Sequence, residues 1–261
     1  MLLLVAAAIG SYLVGAIPFS YLLPKIFFGI DIRQHGSGNV GATNVVRVVG
    51  KPVGIACFVL DVLKGVLPVV LLRAMPGLPD WAPLVGAAAA ILGHARSIFL
   101  KFGGGKAVAT GVGTILALSP FAGLTCLVIW LAAFLPTRVV SIASITAALA
   151  LPGAMIGLPN PIVAGGRSPE ACVYYAMVAG FYVIVRHREN IRRIAAGTEH
   201  RFGERPEQGS AAETRSGAAE ARSGAAGTRS GAAETRSGAA ETRSSAAEPL
   251  TGTAEPRSPK A

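Results

Sequence analysis

The chain has 261 residues, 52% of them hydrophobic and only 15% charged, with a formal net charge of +10. That balance excludes an ordinary soluble domain and points to a membrane protein. Residues 1–200 carry 15 Lys and Arg against 6 Asp and Glu, while residues 201–261 carry 9 against 8, so the basic excess belongs to the apolar part. There it can serve orientation, anionic lipid or an anionic substrate; a nucleic-acid partner is not expected.

The first apolar run, residues 2–23, lacks the basic start of a signal peptide and continues up to the first cations, so it reads as a retained helix. An amphiphilic loop, PKIFFGIDIRQ, leads into HGSGNVGATN, which spells Gly-x-Gly-x-x-Gly at Gly36, Gly38 and Gly41 with Asp61 twenty residues further on. A dinucleotide fingerprint needs a strand before the glycines and a helix after them. No clear strand precedes these, and Asp61 falls inside the next apolar run, residues 53–72, so that reading fails. What remains is either a tight turn between helices or an anion nest, in which backbone N–H groups converge with donors from Ser37, Thr43 and Asn44. Arg47, three residues after Asn44, faces the same anion if the chain turns helical there. Asp61 and Lys64 are spaced i, i+3 and predict a helical ion pair at the membrane.

A short run at residues 83–92 is followed by GHARSIFLKFGGGKAVAT, with His94, Lys101, Gly103, Gly104, Gly105 and Lys106. Ala107 stands where a P-loop has its magnesium-binding Ser or Thr, so only a flexible glycine run ahead of a lysine is left. That pattern suits phosphate, and it equally suits a lysine reaching for the interface. Four more runs follow, at 107–118, 121–135, 139–156 and 171–185. The last leads into RHRENIRRIAAGTEHRFGER, where His187 and Asn190 share a helical face. Arg192 and Arg193 read as a basic, lipid-facing end. Cys57, Cys126 and Cys172 stand apart and read as small apolar fillers, and the histidines at 35, 94, 187 and 200 form no metal-ligand spacing, so no metal is expected.

Seven runs predict an all-α integral membrane protein, a seven-transmembrane-helix bundle over residues 1–202. Several runs are shorter than the ~20 residues of a full span and must be broken, tilted or re-entrant. With the N-terminus outside and the C-terminus cytoplasmic, twelve Lys and Arg of the loops lie inside and two, Arg73 and Arg167, outside. The same orientation gathers every polar, Gly-rich stretch on the cytoplasmic face. Residues 203–261 repeat a heptad, as in SGAAETR, with alanine nearly its only apolar residue; such a tail cannot bury enough surface to fold and is expected to be disordered.

Taken together, GSGNVGATN, LDVLKG, GHARSIFLKFGGGKAVAT and RHRENIRRIAAGTE resemble the acyl-phosphate:glycerol-3-phosphate acyltransferases of bacteria, the PlsY family, over residues 1–202. The resemblance implies a multi-pass enzyme of the bacterial inner membrane with its site facing the cytoplasm and no cofactor. Its partners would be acyl phosphate, glycerol 3-phosphate and membrane lipid, and its products 1-acylglycerol 3-phosphate and phosphate, in phospholipid biosynthesis. It further implies Ser37, Arg47, Lys106, His187 and Asn190 as catalytic residues. The phosphate would be held by Gly36, Ser37, Gly38, Asn39, Gly41, Thr43, Asn44, Gly104, Gly105 and Lys106, with Asp61, Lys64 and His94 in support. The chain departs from the family pattern at Ser97, where proline is usual, at Gly103, often lysine, and at Ala107, commonly glycine. A transporter of a phosphorylated solute is the rival reading, against which stands the crowding of all signatures onto one membrane face.

Overall fold

The computed structural model describes residues 1–158 and 169–203; Arg167 and residues 204–261 of the expected tail lie outside them. Every regular element among the described residues is helical: α1 (Leu2–Ala16), α2 (Phe19–Phe28), α3 (Ala42–Val48), α4 (Lys51–Ala74), α5 (Ala82–Ala95), α6 (Val108–Leu118), α7 (Pro120–Thr137), α8 (Val140–Gly157), α9 (Pro169–Arg186) and α10 (Arg188–Ala195). Each apolar run of the sequence falls on helix. By length and composition α4, α7 and α8 can each cross a membrane alone, α1 and α2 together form a fourth, bent candidate, and α5 and α6 are shorter apolar helices.

The bend has a local cause. Pro18 lacks an N–H and interrupts the run, so α1 and α2 meet at 41°. Carbonyls freed at an apolar level need new donors. Lys64 Nζ donates to Ile17 O at 2.7 Å, and Ser97 Oγ donates to Ala16 O at 2.6 Å. The continuation of α2 through Phe28 also corrects the sequence reading of PKIFF as loop: Pro24 sits inside the helix, and Gly29, at φ +69°, ends it.

Close packing comes from small residues, as expected where lipid supplies no hydrophobic drive between helices. A side chain at Gly15 would strike the Ala90 backbone of α5, and one at Gly113 of α6 would strike Val62 O of α4. Large apolar side chains point outward instead, including Leu63, Leu67 and Val70 on α4 and Leu124, Val128 and Leu135 on α7. Inside, Asp61 and Lys64 form the expected ion pair at 2.7 Å, with side chains only 2% and 3% exposed. Ser20 Oγ donates to the other oxygen of Asp61 at 3.0 Å, so the pair joins α2, α4 and the helix break.

Candidate active site

The glycine loop is shaped by one side chain from the helix that follows it. Asn44 of α3 accepts from Ser37 N at 3.0 Å through Oδ1, while its Nδ2 donates to Ile32 O, His35 O and Asn39 O at 3.0–3.2 Å. Both ends of this buried amide are therefore engaged within the loop, so Asn44 acts as its staple while also lining the cavity. Gly36, at φ +59°, leaves room for it, because a Cβ there would collide with Asn44 Oδ1. The turn and the nest were the two readings of this stretch. The structure makes it a stapled turn that turns Ser37, Asn39, Gly41 and Thr43 toward a cavity.

The second loop is held more tightly than its composition suggests. Ser97 N donates to Gly103 O and Phe102 N to Ser97 O, each at 2.8 Å, closing a small bridge around the 3₁₀ turn Ile98–Leu100. Gly105 N donates to His94 O at 3.2 Å, and the carbonyls of Gly104 and Gly105 accept from Arg186. Gly105 thus has no N–H left for an anion, and neither it nor Gly104 or Gly36 is among the residues lining the two cavities of this site. In this structure those three shape the backbone that presents Ser37 and Lys106. Lys106 emerges from this loop just before Ala107, whose φ of +60° is one that glycine adopts freely and alanine does not. His94 is buried in the wall, its ring hydrogen-bonded to Thr110 at 3.1 Å and 3.8 Å from Asp61.

The third contribution comes from the end of α9, α10 and the strand of chain beyond it. Lys106 Nζ donates to Asn190 Oδ1, and Asn190 Nδ2 donates to Glu199 Oε1. Glu199 also accepts from Ser141 Oγ of α8 and Arg193 Nε, both at 2.7 Å. Arg193 therefore faces inward, which corrects its reading as a lipid-facing cation. Arg192 keeps that exposed position and pairs with Glu189 at 3.1 Å. Neither Glu199 nor Ser141 stood out in the sequence as a site residue. The one signal available was an acid, Glu199, six residues after an arginine in the basic cluster.

His187 closes the ring at the junction of α9 and α10. Its Nδ1 lies 2.7 Å from Val183 O, and because a carbonyl only accepts, Nδ1 carries the hydrogen and Nε2 keeps a lone pair. Burial pushes His187 down to about 4, so it is neutral near pH 7 and suited to orienting a hydroxyl rather than to strong base catalysis. Burial likewise brings Lys106 down to about 8, countered by Glu199 and assisted by the cations Arg193, Arg186 and Arg47. Arg47 is lowered by burial as well. Burial opposes ionisation of Glu199, but hydrogen bonds from Asn190, Ser141 and Arg193 outweigh it and hold the carboxyl below its ordinary value.

These groups surround the head of a cavity of about 550 Å³. Ser37, Thr43, Arg47, Lys106, His187, Asn190, Arg193 and Glu199 line it, as do apolar side chains of α6–α9 that include Ile115, Leu127, Trp130, Phe134, Leu151 and Val183. A smaller polar cleft of about 260 Å³ shares Ser37, Asn39, Lys106, Asn190 and Arg193 and adds Gly38, Arg186, Arg188 and Glu189. All five residues expected to be catalytic thus meet at one place. Asp61 and His94 reach the wall of the larger cavity, whereas Lys64 does not.

A cationic head joined to an apolar tail suits a phosphate-bearing lipid, and comparison with known proteins agrees. The family model for glycerol-3-phosphate acyltransferase matches residues 5–197. The chain belongs to the glycerol-3-phosphate acyltransferase family. A glycerol-3-phosphate acyltransferase of Synechocystis is 44% identical over 215 residues, spanning 78% of this chain and 93% of its own. One from Acholeplasma laidlawii is 40% identical over 224 residues, covering 78% and 95%. Among solved structures of this family, the glycerol 3-phosphate form of PlsY, an integral membrane glycerol 3-phosphate acyltransferase, matches with a TM-score of 0.69 at 42% identity, over 77% of this chain and 96% of that one. The same enzyme's lysophosphatidic acid form matches with a TM-score of 0.68 at 40% identity. An acyltransferase of the PlsY family, built of apolar helices, is what the chain's fold and kinship establish.

Proposed function

We propose that this acyltransferase moves a fatty acyl group from acyl phosphate to the 1-hydroxyl of glycerol 3-phosphate, giving 1-acylglycerol 3-phosphate and inorganic phosphate. The observation that carries the reading is the single cavity whose head holds Arg47, Lys106 and Arg193 and whose tail is apolar. Such a shape receives an anion with a long chain attached. The smaller polar cleft offers room for a second, water-soluble reactant beside the same lysine.

In the proposed step the 1-hydroxyl oxygen attacks the acyl carbon, the bond from that carbon to the phosphate oxygen breaks, and the hydroxyl proton leaves with the departing phosphate. Lys106 and Arg47 stabilise the negative charge that gathers on the phosphate, with Ser37 and the loop around Gly38, Asn39, Gly41 and Thr43 orienting it. Neutral His187, through Nε2, and Asn190 orient the glycerol end. Acyl phosphate is already activated, so positioning supplies much of the rate and no strong protein base is required. Asp61, Lys64 and His94 support the wall.

The enzyme is read as crossing the bacterial inner membrane seven times, N-terminus outside, with the site at the cytoplasmic face and residues 1–202 as the catalytic domain. A chain ending at Phe202 is expected to keep most activity. Purified protein supplied with labelled glycerol 3-phosphate and, separately, acyl phosphate, acyl-CoA or acyl carrier protein tests the donor. Product from acyl phosphate alone is expected; product from either thioester alone rejects the assignment.

A further inference from the structure

We propose that Arg186 is a positioning residue, whose guanidinium clamps the glycine run and so sets where Lys106 stands. The inference rests on the reading of Lys106 as the cation that meets phosphate. Arg186 ends α9, far along the chain from the loop it holds. Its Nη2 donates to two successive carbonyls, Gly104 O at 3.2 Å and Gly105 O at 2.9 Å. From the other side Gly105 N donates to His94 O at 3.2 Å. The residue just before Lys106 is therefore gripped by both of its backbone polar groups.

Three glycines in a row specify almost no conformation of their own, so their geometry must be imposed from outside. Side chains cannot do this here: a Cβ at Gly104 would run into the backbone of His94 and Ala95, and one at Gly105 into His94 and Val40 O. Arg186 supplies the constraint. Both bonds leave one terminal nitrogen, whose two N–H groups are fixed in the guanidinium plane, whereas an ammonium rotates freely about its last bond. Four residues further on, Asn190 accepts from the Lys106 ammonium itself. The α9–α10 junction thus fixes both the backbone that carries Lys106 and the tip of its side chain.

The test compares turnover of acyl phosphate and glycerol 3-phosphate by the purified full chain with Arg186→Met, Arg186→Lys, Lys106→Ala and the double variant Lys106→Ala, Arg186→Met. Arg186→Met is expected to lower kcat about 100-fold, the scale of a misplaced catalytic group. Arg186→Lys keeps the charge but loses the two N–H groups fixed in one plane, and is expected to fall nearly as far. The alkaline limb of the pH profile moves upward in Arg186→Met, because a cation near Lys106 is gone, and stays in place in Arg186→Lys. The double variant is no slower than Lys106→Ala, since Arg186 acts through Lys106. Parent turnover in Arg186→Met, full rescue by Arg186→Lys, or losses that multiply in the double variant would each overturn the clamp. Should Arg186→Met fail a thermal-unfolding check in detergent, turnover of Arg186→Lys decides alone. Parent turnover in Lys106→Ala would strike at the functional reading instead.

Discussion

Two buried charge networks lie within this bundle, and they are built to different ends. Around Asp61, one carboxylate meets one ammonium, and the spare capacity is taken up by Ser20 Oγ and the Ile17 carbonyl. Around Glu199, one carboxylate is shared by Asn190, Ser141 and Arg193 while Lys106 and Arg47 stand close by. The first network is closed in charge, one carboxylate against one ammonium, and joins helices even where Asp61 reaches the cavity wall. The second is left with positive charge facing a cavity, which is the state of a site that awaits an anion.

The contrast can be broken from either side. The largest effect is expected in the closed network: Lys64→Met leaves Asp61 buried without its cation and should lower stability by about 3–5 kcal/mol, read as a fall in the unfolding midpoint in detergent. Replacing both partners with apolar residues should recover much of that loss. In the open network the same kind of deletion should spare the fold and strike the chemistry. Lys106→Ala is expected to lower kcat by about 10²–10³ with little change in unfolding, the scale of losing one preorganised donor to developing charge. A large loss of stability there would erase the distinction between the two networks.

The next test uses pH. Lys106 is held down to about 8, so its ammonium form prevails below that value and is lost above it. Turnover should therefore decline as pH rises through about 8, and Lys106→Arg should remove that decline if the variant is active, because a guanidinium stays charged. A smaller effect is expected in the apolar tail. Ala147 of α8 lines the cavity, and Ala147→Phe should lower kcat/KM for long-chain acyl donors about tenfold relative to short ones. Unchanged discrimination would remove Ala147 from the chain-binding wall. The smallest is Ala107→Gly, where relief of positive-φ strain, about 1–2 kcal/mol, is opposed by lost packing of a buried methyl. The net shift in midpoint should be slight.

Sequence and structure agree best where a local property decides. Seven apolar runs fall on helix because hydropathy is carried by consecutive residues, and the Asp61–Lys64 pair was legible because i, i+3 spacing is a helical contact. PKIFF was misread because proline and a following glycine look like loop, although Pro24 is accommodated within α2. The charge count gathered the loops of Ser37, Arg47, Lys106, His187 and Asn190 on one face, but their joint catalytic role was expected only through family resemblance. Asn44 as staple, Arg193 turned inward and Glu199 as hub were not legible, since each depends on where another segment returns. Glu199 matters only because Ser141 of α8 and α10 bring their donors to it.

The helix α7 has a further consequence. Trp130 and Phe134 stack with centroids 4.7 Å apart and line the cavity, while Leu124, Val128 and Leu135 of the same helix are exposed on the outer surface. Along this side the cavity's apolar tail is parted from the exterior by a partition one helix thick, about 10–12 Å with side chains. Such a partition has no second layer to buttress it, so one eighteen-residue segment must satisfy both faces, with Leu127, Trp130 and Phe134 toward the cavity and Leu124, Val128 and Leu135 on the other.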